Sequence, residues 1–156
     1  DAEVKADLAA LNRATFEVYK QRAATMPRRS HMDQRQFERL LAAVEWQADH
    51  FAEIPALVVA CLEFDREPPD RFSAGAGAGG SIWPGVQNLL LAARALGLGA
   101  TPTTFALANR EKAKAVLGLP PLIEPFCLVP VGYPMGNFGR VRRKPVEDVM
   151  RWDRWS

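Results

Sequence analysis

Residues 81–100 read SIWPGVQNLLLAARALGLGA and run directly into Thr101-Pro102-Thr103-Thr104. Val86, Leu89, Leu90, Ala93 and Leu96 recur there at the i, i+3, i+4, i+7 spacing of a helix. Gln87, Asn88 and Arg94 alone interrupt the apolar character of its other faces. A helix apolar nearly all round belongs in a core and not on a surface. Gly97 and Gly99 are expected to supply the left-handed conformations that end it. The chain then enters a short strand, 101–104, that stops at small polar residues and would suit the wall of a flat cofactor site.

Towards the N-terminus, Val4, Leu8, Leu11, Phe16 and Tyr19 set a helix over about residues 4–24, broken by Met26-Pro27-Arg28-Arg29-Ser30. Asp33 is a good cap for a second helix reaching about residue 52, with Phe37, Leu40, Leu41, Val44 and Ala48 on one face. Residues 54–62, IPALVVACL, form a continuous apolar run that predicts a strand covered on both faces. Residues 63–80 read as loop, and their SAGAGAGG end at 73–80 is expected to be mobile beside a site mouth. Towards the C-terminus, Asn109 caps a short helix, REKAKAVLG, and residues 126–131 form a second buried strand. The tail, 135–156, is expected to be an extended arm with one turn at 145–150. The order α-α-β-α-β-α-β-tail predicts an α+β or α/β layered fold.

With 156 residues, 48% of them hydrophobic and 24% charged, the chain fits a single domain with a real core. No apolar run reaches the about 18 residues that span a bilayer, so no membrane partner is expected. No signal peptide is visible, so a cytoplasmic protein is expected, and a chain beginning at Asp1 suggests truncation or processing. Residues 140–156 hold six basic and three acidic side chains, a net +3, against +2 for the whole chain, so the rest carries −1. Such a local bias suits an anionic ligand and not a nucleic acid, which asks for a broader basic face.

Gly75, Gly77 and Gly80 formally match G-x-G-x-x-G, but a dozen loop residues separate them from the preceding strand and no acidic residue follows about 20 positions on. A dinucleotide fingerprint is therefore disfavoured. Cys61 and Cys127 sit in apolar runs and read as core thiols, with no metal-ligand spacing around them. His31 and His50 lie in polar contexts and read as surface residues. Neither a metalloprotease motif, a P-loop, a nucleophile elbow nor a triad occurs, so no catalytic side chain is assigned and a cofactor would carry any redox chemistry. Arg140, Arg142, Arg143 and Lys144 follow a glycine-flanked turn, and guanidinium forks grip phosphate oxygens bidentately.

VQNLLLAARALGLGATPTT, then Leu117-Gly118-Leu119-Pro120, FCLVPVGYP and RRKPVEDVMRWDRW occur in an order that resembles the FMN-dependent nitroreductase family. The likeness is close over the second half of the chain and looser over the first. It implies a nitroreductase-like α+β fold, a three-layer α-β-α sandwich with a covered mixed sheet, over a single domain (1–156) with a C-terminal arm at 135–156. It also implies an intertwined homodimer holding FMN at its interface, with NAD(P)H as reductant and a nitroaromatic, quinone or similar small planar molecule as acceptor. Carried over by position, Pro102, Thr103, Thr104 and Phe105 would line the isoalloxazine ring. A backbone N–H there would bond the flavin N5. Arg142 and Arg143 would contact the FMN phosphate, with Arg140 beside them. The terminal Trp152 and Trp155 resemble an arm that embraces the partner subunit. The family's N-terminal basic phosphate motif and its Pro-Ser/Thr-x-x-Asn-x-Gln segment do not occur here, so the domain reads as N-terminally incomplete. A non-catalytic relative binding another flat or anionic ligand, or a flavin enzyme for reductive dehalogenation or flavin fragmentation, stays open on the same scaffold.

Overall fold

A computed structural model of the chain describes residues 1–25, 33–67, 79–139 and 143–155. Helix α1 (Ala2–Thr25) buries Leu8, Asn12 and Phe16 on one stripe at i, i+4, i+8 spacing. Asp33 caps α2 (Gln34–Asp49) in a capping box: its carboxylate accepts from the Gln36 N–H at 2.8 Å, and the Gln36 side chain accepts from the Asp33 N–H at 3.1 Å. Arg13–Asp49 and Lys20–Glu45 ion pairs tie α2 to α1 along an exposed flank. A 3-10 turn (Phe51–Glu53) replaces the expected last turn of α2 and buries Phe51 completely.

Strands β1 (Ala56–Glu63), β2 (Gly99–Ala100) and β3 (Ile123–Gly132) make a sheet in the order β1-β3-β2. Both pairings are antiparallel, so among the described residues the sheet is not mixed as expected. The central strand β3 is buried from Glu124 to Pro130. At the edge, β1 alternates exposed and half-buried positions from Ala56 to Val59 and is not covered on both faces. The register slips by one between Ala60 and Cys61, with Phe126 as the extra residue of the bulge.

The two-residue period of β3 divides its side chains between two cores. Leu128 packs with Leu8, Phe51, Leu107 and Ala113, beneath α1 and α4 (Arg110–Leu117). Cys127 and Val129 pack with Val86 of α3 (Ile82–Ala95). Helices therefore lie on both sides of the sheet, and the α+β three-layer sandwich is present.

Helix α3 corrects the reading of its segment as a core element. Val86 and Ala93 are buried, yet Leu91 is 57% and Leu96 75% exposed. One sheet offers a helix one line of contact, so the apolar residues opposite stay open within a single chain. Gly97 takes the expected left-handed φ, at +77°, whereas Gly99 is already extended in β2. Residues 73–78 of the SAGAGAGG loop lie outside the described residues. Gly79 is buried at φ +71°, and a Cβ there would stand 2.1 Å from the Phe126 ring.

A buried carboxylate fastens α4 to β3. The Glu124 side chain is 3% exposed and accepts from Arg110 Nε at 2.7 Å, Arg110 Nη2 at 2.8 Å and Lys114 Nζ at 2.7 Å. Burial alone would raise this carboxyl, but the bonds from Arg110 and Lys114 outweigh it and hold Glu124 below the usual carboxylate range. The tail contains one short helix, α5 (Val146–Val149), and leaves Trp152 and Trp155 exposed.

Candidate functional site

The segment after β2 is pinned and then turned inward. Thr103 exchanges two backbone bonds with Leu128, its N–H donating at 2.8 Å and its carbonyl accepting at 2.9 Å. A 3-10 turn (Phe105–Leu107) follows and buries Ala106 and Leu107 under α1. Phe105 is half-buried, its ring 5.3 Å from that of Tyr19. Between the two anchors Pro102 and Thr104 remain exposed, and the Thr104 N–H finds no acceptor among the described residues. Pro102, Thr103, Thr104 and Phe105 together line a cavity of about 520 Å³, faced by Leu40 and Val44 of α2 and by Trp83. The helix spacing that places Leu40 and Val44 on one face is therefore part of the site.

Ala43, Gln47 and Thr101 also border a second cavity, of about 510 Å³, so the two are arms of one cleft. Trp46, His50, Glu53, Tyr133 and Phe138 stand around the second arm. His50, read from sequence as a surface residue, is half-buried at the C-terminus of α2. Its ring stacks on Trp46 with centroids 4.3 Å apart and planes 16° from parallel. The signal for it was the i, i+4 spacing of Trp46 and His50 at the helix end. Arg94 of α3 lies over the Phe138 ring at 4.2 Å and holds that wall in place.

Of the basic cluster, Arg143 and Lys144 lie among the described residues, and neither lines this wall. Arg143 is exposed in the segment before α5 and does not line either arm. Arg140 and Arg142 lie outside the described residues, as does His31. Cys127 is buried and Cys61 half-buried, and burial pushes both thiols up, away from thiolate reactivity. No grouping of three His, Cys, Asp or Glu able to hold a metal occurs among the described residues, and no helix there is long and apolar enough to cross a membrane.

The arrangement can hold a flat ring. One arm offers apolar side walls, a rigid backbone edge and an amide donor without an acceptor, which fits the ring of FMN. Its phosphate would need cations, and no Lys or Arg among the described residues lines either arm.

Fold and cleft together define an α+β protein with helices on both faces of an antiparallel sheet and a flat-ligand cleft at the sheet's end. The family model described as the nitroreductase family matches residues 1–133, and the chain belongs to that family. It is 44% identical over 55 residues to a protein of Methanothermobacter thermautotrophicus provisionally named an NADH dehydrogenase/NAD(P)H nitroreductase, a match spanning 34% of this chain and 29% of that one. Oxidised iodotyrosine deiodinase, solved with FMN and 3-iodo-L-tyrosine, shares the fold with a TM-score of 0.66 at 19% identity, over 99% of this chain and 73% of that one. A provisionally named NADH dehydrogenase/NAD(P)H nitroreductase from Parabacteroides distasonis superposes with a TM-score of 0.51 at 27% identity, over 69% of this chain and 61% of that one. The chain thus aligns with less than two thirds of the length of both nitroreductase-named relatives.

Proposed function

We propose that the protein is an FMN-dependent oxidoreductase that takes reducing equivalents from NAD(P)H and passes them to a small planar acceptor such as a nitroaromatic or a quinone. The observation that carries this reading is the Pro102-Thr103-Thr104 edge, with Pro102 and Thr104 exposed, fixed by the Thr103–Leu128 bridge at the mouth of an apolar cleft. FMN, when bound, would supply the hydride chemistry. The chain supplies position and surroundings. The Thr104 amide is a donor available to a ring nitrogen, Leu40 and Val44 exclude water from the ring face, and Phe105 is braced from behind by Tyr19. Arg143, with Arg140 and Arg142, is assigned to the phosphate.

Arg143 does not line the cleft of its own chain, and α3 and the tail leave Leu91, Leu96, Trp152 and Trp155 exposed. Both facts support a homodimer in which the arm of one subunit reaches the other. A second reading, a relative that holds a flat ligand without a phosphate, is favoured by the absence of Lys and Arg among the described residues that line the two cleft arms.

Titrating FMN into the purified protein separates the two. Saturable binding with flavin absorbance in the blue, and NAD(P)H consumption that depends on a quinone, are expected. Arg143→Ala should weaken FMN binding by roughly one to two orders of magnitude, the scale of a charge-assisted contact. A protein that stays colourless throughout the titration overturns the flavin reading.

A further inference from the structure

The second arm of the cleft has polar chemistry that the flavin reading does not use. His50 Nδ1 lies 2.8 Å from the Trp46 carbonyl oxygen. A carbonyl oxygen only accepts, so Nδ1 carries the hydrogen and donates it. In the neutral ring, Nε2 then keeps its lone pair as an acceptor. Nε2 has no hydrogen-bond partner among the described residues, and His50 is one of the residues lining the arm. The Trp46 stack and the bond to the helix end hold the imidazole in one orientation before anything binds.

The remaining walls specify the rest of an occupant. Trp46, Tyr133 and Phe138 with Pro134 offer flat apolar surfaces to an aromatic ring, and about 510 Å³ leaves room for a fused bicyclic one. Among the described residues that line this arm Glu53 alone is charged, and its carboxylate disfavours an anionic ligand.

We propose that the arm beside His50 binds an uncharged planar aromatic molecule bearing a hydroxyl group, whose O–H donates to His50 Nε2. Because Ala43, Gln47 and Thr101 border both arms, such a molecule would sit next to the Pro102–Thr104 edge, where the acceptor of the proposed reaction must lie. The acceptor role rests on the flavin reading; the binding itself does not.

The test uses 2-naphthol and 2-methoxynaphthalene, which differ in the ability to donate a hydrogen bond. Calorimetric titration of the flavin-free protein should give naphthol binding tighter by about tenfold, the upper end of what one neutral hydrogen bond yields. His50→Phe should bind both compounds alike. On naphthol addition the ¹⁵N resonance of His50 Nε2 in the unaltered protein should shift, and the methyl ether should leave it in place. This measurement decides the matter even where the variant fails to fold. Equal affinity for the two compounds, a preference that survives in His50→Phe, an unmoved Nε2 resonance, or no saturable naphthol binding would each overturn the proposal. Since neither compound needs FMN or turnover, these outcomes are separate from the fate of the flavin reading.

Discussion

The two sides of the sheet are completed to different degrees. Beneath α1 and α4, Leu8, Phe51, Leu107 and Leu128 are closed off from solvent, and the neighbouring Glu124 has all its partners inside the same chain. On the other side α3 covers Cys127 and Val129 with Val86 but turns Leu91 and Leu96 outward. The more apolar sequence is that of α3, yet its side is the one left partly open. The contrast teaches that hydropathy sets the demand for burial, while topology decides whether one chain can meet it.

The largest effect is expected where the core is closed. Phe51→Ala removes a fully buried ring and should cost about 3–5 kcal/mol in urea unfolding, the range for large-to-small core changes. A cost below about 1 kcal/mol would mean that this side is no better packed than the other.

Next in size is Glu124→Gln. It leaves Arg110 and Lys114 facing a neutral amide and should cost about 3 kcal/mol near neutral pH, the low end for a broken buried pair because Arg110 is partly exposed. The sign of its pH dependence follows from the lowered carboxyl. Stability from such a group is complete above the unfolded glutamate pKa of about 4.3 and is lost as pH falls through the depressed folded value. The unaltered protein should therefore lose stability more steeply on acidification below about pH 4.3 than Glu124→Gln. Parallel acid limbs in the two proteins would remove the ion cluster from the account.

The open side predicts a smaller change in unfolding and a larger one in assembly. Leu91→Glu combined with Leu96→Glu touches no buried side chain. It should move size-exclusion elution to the monomer position and abolish any dependence of the melting temperature on protein concentration. Elution unchanged from the parent would show that another surface joins the subunits.

Most elements were legible because their signals are local. The Asp33 cap, the Asn109 cap and the Gly97 stop mark helix ends within a few residues, whereas Pro102–Phe105, which line one cavity, were singled out together by the family resemblance. The exposure of α3 was not legible, since periodicity reports that a face is apolar and not what lies across from it. The surroundings of His50 were not legible because its aromatic neighbours Tyr133 and Phe138 come from beyond β3, more than 80 residues away in sequence. The Glu124 cluster joins residues 10 and 14 positions apart across a turn, which no short motif records. A charged residue between Ile123 and Pro125 in a buried strand was the available hint.

The contact between Gly79 and the bulged Phe126 limits how this protein can change over time. Any side chain at 79 meets both an unfavourable φ of +71° and an aromatic ring 2.1 Å away. Shrinking residue 126 relieves the collision and not the backbone strain, so no single second-site change frees the position. Mutational drift at 79 would need the entry into α3 to be rebuilt as a unit, and until then the glycine and the bulge are inherited together.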